Sequence, residues 1–126
     1  MKSRENFFEV WGGISGCQHL VTLLLDSSIP LERVVDLTSK QVAERFRVNQ
    51  KGEIAVGKDA DFAIVDLNAE ETITADSLLY RHQHSPYVGR RLRGRVIRTV
   101  LRGEAIFGQG RPSAKPTGRF VRPNRT

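Results

Sequence analysis

Four groups of residues in this 126-residue sequence have types and spacings that could do chemistry. Gly52-Glu-Ile-Ala-Val-Gly57-Lys58 has the spacing of a phosphate-binding loop up to its last position, where Asp59 stands in place of the Ser or Thr that would hold magnesium. Such a loop follows a strand and opens a helix. Here β-like runs flank it on both sides, which favours a glycine-bounded turn.

Gly13-Ile-Ser-Gly-Cys17 resembles a nucleophile elbow, with Ser15 as nucleophile and His19 as its base, but the second glycine is missing. No apolar strand leads into it, and a serine at a helix start caps its own backbone. His82-x-His84 has the spacing of a metal-binding pair, with both rings on one face of an extended segment. No cysteine or carboxylate stands at ligand spacing beside it, and His19 is the only other imidazole. Loop histidines bonded to backbone are the plainer reading. The fourth group, Trp11-Gly-Gly-Ile-Ser-Gly16, leads into a helix and can offer backbone N–H groups to a polar ligand; it reads equally well as a tight core turn. None of the four composes an active site by itself.

The elements that must position these groups change texture along the chain. Phe7, Phe8, Val10 and Trp11 form an apolar cluster with no element before it to cover it. Cys17, Leu20, Val21, Leu24 and Leu25 fall on the stripe of an amphipathic helix. Pro30 suits the start of a second helix, with Glu32 in its first turn and Leu31, Val34, Val35 and Leu37 on its apolar face. Ser39 is placed to cap a third, with Val42, Ala43 and Phe46 buried and an end before Asn49. Short β runs follow around Ile54–Val56, over residues 61–67 and at Thr72-Ile-Thr. Residues 75–90 read as a loop with one helical turn. Residues 93–107 read as two strands around a turn near Arg102-Gly103. The tail beyond Gly108, with three prolines, two glycines and five basic residues, is an extended strap or is disordered.

Composition is that of an ordinary globular domain, with 39% hydrophobic and 27% charged residues. The net charge of +6 is unevenly spread: residues 1–88 carry 9 Lys/Arg against 13 Asp/Glu, and residues 89–126 carry 11 against 1. Arg90, Arg91, Arg93, Arg95, Arg98 and Arg102 recur at spacings that put several on one strand face. Only Phe107 and Phe120 could stack on bases there, and no nucleic-acid-binding motif accompanies the arginines. A solvated face, or one paired with acidic surface, is favoured over nucleic acid. The single Cys17 excludes an internal disulfide, and the run His19–Leu25 is too short to span a bilayer, so a cytoplasmic protein with no membrane partner is expected.

Four ordered segments carry a resemblance: Trp11-Gly-Gly-Ile-Ser-Gly-Cys-Gln18, Lys51-Gly-Glu-Ile-Ala-Val-Gly-Lys-Asp-Ala-Asp-Phe62, Tyr80-Arg-His-Gln-His-Ser-Pro-Tyr-Val-Gly-Arg90 and Gly94-Arg-Val-Ile-Arg-Thr-Val-Leu-Arg-Gly103. Together they resemble the closing third of the allantoinases, cyclic amidohydrolases related to dihydroorotases and hydantoinases. The first and third are the segments most particular to allantoinases. The resemblance implies a metal-dependent hydrolase that opens the hydantoin ring of allantoin to allantoate, a step of purine catabolism, with zinc or another divalent metal activating a hydroxide in a (β/α)8 barrel. It implies an α+β chain. Residues 1–49 would end the barrel, carrying the substrate-side loop and final helices; residues 50–110 would form part of a small β-sandwich domain; residues 111–126 would be a basic extended tail. Trp11, Gly12, Gly13 and Ser15 would line the substrate side through backbone groups. The family's metal ligands precede the matching region, so no metal and no activity are expected of this chain alone.

The connection Asp26-Ser-Ser-Ile-Pro30 is shorter than is usual in the family, and Met1-Lys-Ser-Arg-Glu-Asn looks like a start placed mid-domain. Helices built to cover a barrel would expose Leu20, Val21, Leu24 and Val35 and drive self-association. The alternative is a non-catalytic β module for interaction or assembly that uses the Arg90–Arg102 face to hold an acidic partner.

Overall fold

The computed structural model describes residues 13–81, 83–113 and 115–124. A 3₁₀ turn over Cys17–His19 runs directly into α1 (Leu20–Asp26). This helix stops because Ser28 takes a left-handed φ of 61° ahead of Pro30. The Ser27 N–H closes its last turn onto Leu23 and Leu24 at 3.2 and 3.3 Å.

Pro30, at φ −53°, opens α2 (Leu31–Val35), and its carbonyl accepts from the N–H groups of Arg33 and Val34 at 2.9 and 3.0 Å. The two helices expected over residues 30–48 are one interrupted rod. α2 widens into a π turn over Asp36–Lys40 and continues as α3 (Gln41–Arg45). Nothing between them leaves the right-handed helical region, since Val35 and Gln41 sit at φ −61° and −63°. Ser39 therefore caps nothing. The Thr38 hydroxyl reaches back to the Val34 carbonyl at 2.8 Å, a bond that competes with the backbone ladder at the widened turn. The expected burial of Val42 and Phe46 is overturned: they are 45% and 63% exposed, because no described segment packs on that face of α3.

Four antiparallel strands form a meander in the order β1 (Phe62–Thr72), β2 (Arg91–Leu101), β3 (Glu104–Gly108) and β4 (Arg111–Pro112). The β2–β3 turn has left-handed φ at both central residues, 49° at Arg102 and 84° at Gly103, the geometry that matches strand twist in a two-residue hairpin. Thr72-Ile-Thr is no separate strand. β1 passes through a register shift between Asp66 and Glu70, where the Asp66 carboxylate accepts from the N–H groups of Asn68 and Ala69 at 3.0 and 3.2 Å, and it continues to Thr72. The run around Ile54–Val56 forms no strand either. Its turn closes through Lys58 N–H to Ala55 and Asp59 N–H to Gln50, at 3.2 and 2.9 Å, and leaves both apolar side chains in the open.

The core is small. Ile73, Leu78 and Leu92 are buried together, with Leu23, Tyr80 and Tyr87 packed against them. α1 lies across β2 where Gly94 makes room, since a Cβ at Gly94 would stand 3.1 Å from Leu25 Cδ1. The tail lies extended along the body: Ser113 N–H reaches Ile106, the Arg102 guanidinium donates to the Thr117 carbonyl, and Asn124 N–H reaches the Arg47 carbonyl at 2.8 Å.

The arginine-rich strand meets acids of its own chain. Arg91 pairs with Glu70 across the β1–β2 ladder, Arg95 lies 3.6 Å from Glu71, and Arg90 lies 3.8 Å from Asp26 and over the Tyr87 ring. The Arg93 backbone N–H takes the other Asp26 oxygen at 3.2 Å, and its guanidinium donates to the Leu25 carbonyl at 3.4 Å. Three arginines of the last third, Arg90, Arg91 and Arg95, thus answer acids in the first two thirds. Each exposed pair contributes little stability, but together they fix register.

Candidate functional site

Two segments far apart in sequence meet at the end of the molecule where the glycine loop sits. Gly13, Ile14 and Ser15 expose their outer side. Gly13 uses a φ of 96°, open to glycine at no steric cost. Gly16 is glycine for another reason: its φ is −136°, but a Cβ there would lie 3.0 Å from Tyr87 Cε2. Trp11 and Gly12 lie outside the described residues.

Behind the loop stands the connection between β1 and β2. It is made rigid by a 3₁₀ turn over Ala75–Ser77, in which Thr74 and Ser77 cap each other reciprocally. The Ser85 hydroxyl, on a residue 5% exposed, donates to the Ser15 carbonyl at 2.7 Å. The Gln18 N–H donates to the Tyr80 hydroxyl at 3.0 Å. The Gln18 side-chain amide bonds the backbone of the same connection twice, from Nε2 to the Ser77 carbonyl at 2.9 Å and to Oε1 from the Leu79 N–H at 2.8 Å. Sequence reasoning had singled out the loop and missed this clamp. Its signal lay in the two segments most particular to the allantoinases, since residues 11–18 take part in all four bonds and residues 80–90 in two of them.

The Ser15–His19 pair is not assembled. His19 Nε2 is buried without a hydrogen-bond partner, and burial holds the imidazole below its ordinary pKa despite the opposing charge of Glu71. That ring is half-buried and neutral at neutral pH. His84 is exposed and His82 lies outside the described residues. Among the described residues no three His, Cys, Asp or Glu side chains converge as metal ligands. These residues do not fit a metal.

The segment with phosphate-loop spacing is a charge clasp. Lys51 bridges Asp59, at 2.7 Å, and Asp61. Asp61 also accepts the Arg102 N–H at 2.7 Å, while Gly103 N–H reaches the Ala60 carbonyl at 2.9 Å, so the turn is tied to the β2–β3 hairpin. Lys58 turns back to Glu53 at 3.1 Å. A cleft of about 130 Å³ opens beside it, lined by Lys40, Glu44, Lys51, Glu53 and Lys58, and the ammonium groups of Lys51 and Lys58 already pair with carboxylates. No phosphate cradle is formed.

The model of the amidohydrolase family matches residues 12–106. The chain belongs to the amidohydrolase family. Its likeness to allantoinases within that family is direct: it is 51% identical to the allantoinase of Rubrobacter xylanophilus over 99% of its own length and 29% of that protein's. Among solved structures it superposes on the D-hydantoinase of a Thermus species with a TM-score of 0.81, at 26% identity over 88% of this chain and 26% of that one. The L-hydantoinase of Arthrobacter aurescens gives 0.79, at 26% identity over 86% of this chain and 25% of that one. The chain thus spans under a third of the length of the amidohydrolases it matches. No helix among the described residues is long and apolar enough to cross a membrane.

Proposed function

We propose that this chain is the part of an allantoinase-type hydrolase that closes the substrate side of the active site and carries part of the small β domain. The observation that carries this reading is the clamped loop: Gly13, Ile14 and Ser15 face outward while Ser15 and Gln18 are held from behind. Trp11, Gly12, Gly13 and Ser15 line the substrate side. Their part in opening a cyclic amide is to orient the ring through backbone groups, so that little order remains to be lost on binding. The metals that activate water, zinc or another divalent ion, belong to residues outside the matched region, and the substrate is allantoin.

Purified chain supplied with zinc or manganese is expected to release no allantoate from allantoin, whereas the same chain grafted onto the remainder of the Rubrobacter xylanophilus relative turns it over. Turnover by the chain alone, or an inactive graft that folds, would sink the reading. On the arginine face, Asp26, Glu70 and Glu71 already engage the side chains of Arg90, Arg91 and Arg95, which favours the enzyme reading over an assembly module built on that face.

The helical face supports a polypeptide partner. Leu20 and Val35 are 54% and 52% exposed, with Phe46 and Val42 further along, whereas Val21 and Leu24 are half-buried. In the intact enzyme the barrel covers this face; alone, the chain self-associates through it. Sedimentation should show a species larger than a 14.2 kDa monomer, and replacing Val35 and Phe46 with serine should return it to a monomer. A monomeric unsubstituted chain overturns the point.

A further inference from the structure

We infer that Ser85 and Tyr80 are positioning residues for the substrate-side loop, setting the direction in which its central peptide presents a hydrogen-bond donor. This rests on the reading of residues 13–16 as the loop that faces substrate. A serine hydroxyl has one proton to donate. In Ser85 it is given to the Ser15 carbonyl at 2.7 Å, on a side chain too buried for water to compete. In a planar trans peptide the carbonyl of one residue and the N–H of the next point in opposite directions. Drawing the Ser15 carbonyl inward therefore sends the Gly16 N–H outward, toward the exposed side of Ile14 and Ser15. An outward N–H suits a carbonyl oxygen of a cyclic amide.

Tyr80 fixes the other end of the same turn. Its hydroxyl accepts the Gln18 N–H, and its ring packs on Ile73, Leu78 and Leu92. Tyr87 occupies the space a side chain at Gly16 would need and rests on the same cluster. The peptide between Ser15 and Gly16 is thus oriented by groups rooted in the core of the β domain. That gives the β1–β2 connection a share in substrate recognition.

The test uses Ser85→Ala and Tyr80→Phe, each deleting one oxygen and little packing. In the full chain, ¹⁵N order parameters at residues 14–17 should fall from about 0.85 toward about 0.6 in either variant, while those of residues 62–72 and 91–101 stay unchanged. In the graft, KM for allantoin should rise about fivefold with kcat within a factor of about two, the pattern of lost binding that is uniform along the reaction. Unchanged order in the loop in both variants overturns the inference, and so does an equal loss in the strands, which would mark a merely structural role. If the unsubstituted graft fails to hydrolyse allantoin, the enzyme reading falls, and the order parameters still decide whether Ser85 and Tyr80 hold the loop.

Discussion

Replacing Gly52 with alanine should destabilise the chain by about 3 kcal/mol, a fall in melting temperature of roughly 10 °C. Two effects add. Gly52 sits at φ 95°, where any side chain costs about 1 kcal/mol. Its Cβ would also stand 2.6 Å from the Ala43 Cβ and 3.3 Å from both the Lys40 Cα and the Ser39 carbonyl oxygen. Neither helix backbone nor an alanine methyl can swing aside, so α3 must shift away from the turn. The steric part is separable: adding Ala43→Gly removes the closest atom, and the double variant should recover about 1–2 kcal/mol relative to the sum of the singles. Thermal melts followed by circular dichroism read both. A Gly52→Ala chain within about 0.5 kcal/mol of the parent would show that the turn is not packed on the helix as described.

The Lys51 clasp should give stability a plateau with two shoulders. Burial alone would push the Asp61 carboxyl up, but hydrogen bonds from Lys51 and from the Arg102 N–H, with their charges, outweigh it and hold the group below the usual carboxylate range. Burial likewise opposes the Lys51 charge, and its bonds to Asp59 and Asp61 overcome that and raise the ammonium above the usual lysine range. The signs follow from linkage. The depressed carboxyl stabilises the fold fully above about pH 4, and that stability is lost as pH falls through the lowered value. The raised ammonium stabilises fully below about pH 10, and its contribution is lost as pH rises further. Asp61→Ala should cost about 2 kcal/mol at neutral pH, since it strands the Arg102 N–H and removes one of the two partners of Lys51, and should flatten the acid shoulder. Urea midpoints across pH would show it; an acid shoulder unchanged in the variant would assign that shoulder elsewhere.

What the residues announced and what they concealed divides along physical lines. The β2–β3 hairpin was legible because Arg102-Gly103 is turn chemistry between apolar runs, and two left-handed residues there set Leu101 directly opposite Glu104. Amidohydrolase membership was legible because several segments match in order. The single rod over residues 31–45 was not, since Ser39 offers the same cap-forming hydroxyl whether or not the helix breaks, and only the continued helical backbone decides. Burial of Val42 and Phe46 misled because periodicity marks a face that wants covering and says nothing about which polypeptide covers it. The clamp escaped because Gln18 and Ser85 are ordinary polar residues some 60–70 positions from their partners, and no local pattern ties them together.

That separation also orders events in time. Residues 13–18 leave the ribosome before residues 77–85, yet it is the latter that hold Ser15 and Gln18 from behind, and they join the fold only when β2 closes on β1 and buries Leu92 over Ile73 and Leu78. Closing so long a loop is slow beside the local helices. The glycine loop is therefore made early and shaped late, and a nascent chain stalled before Arg91 would carry its helices with the loop still unclamped.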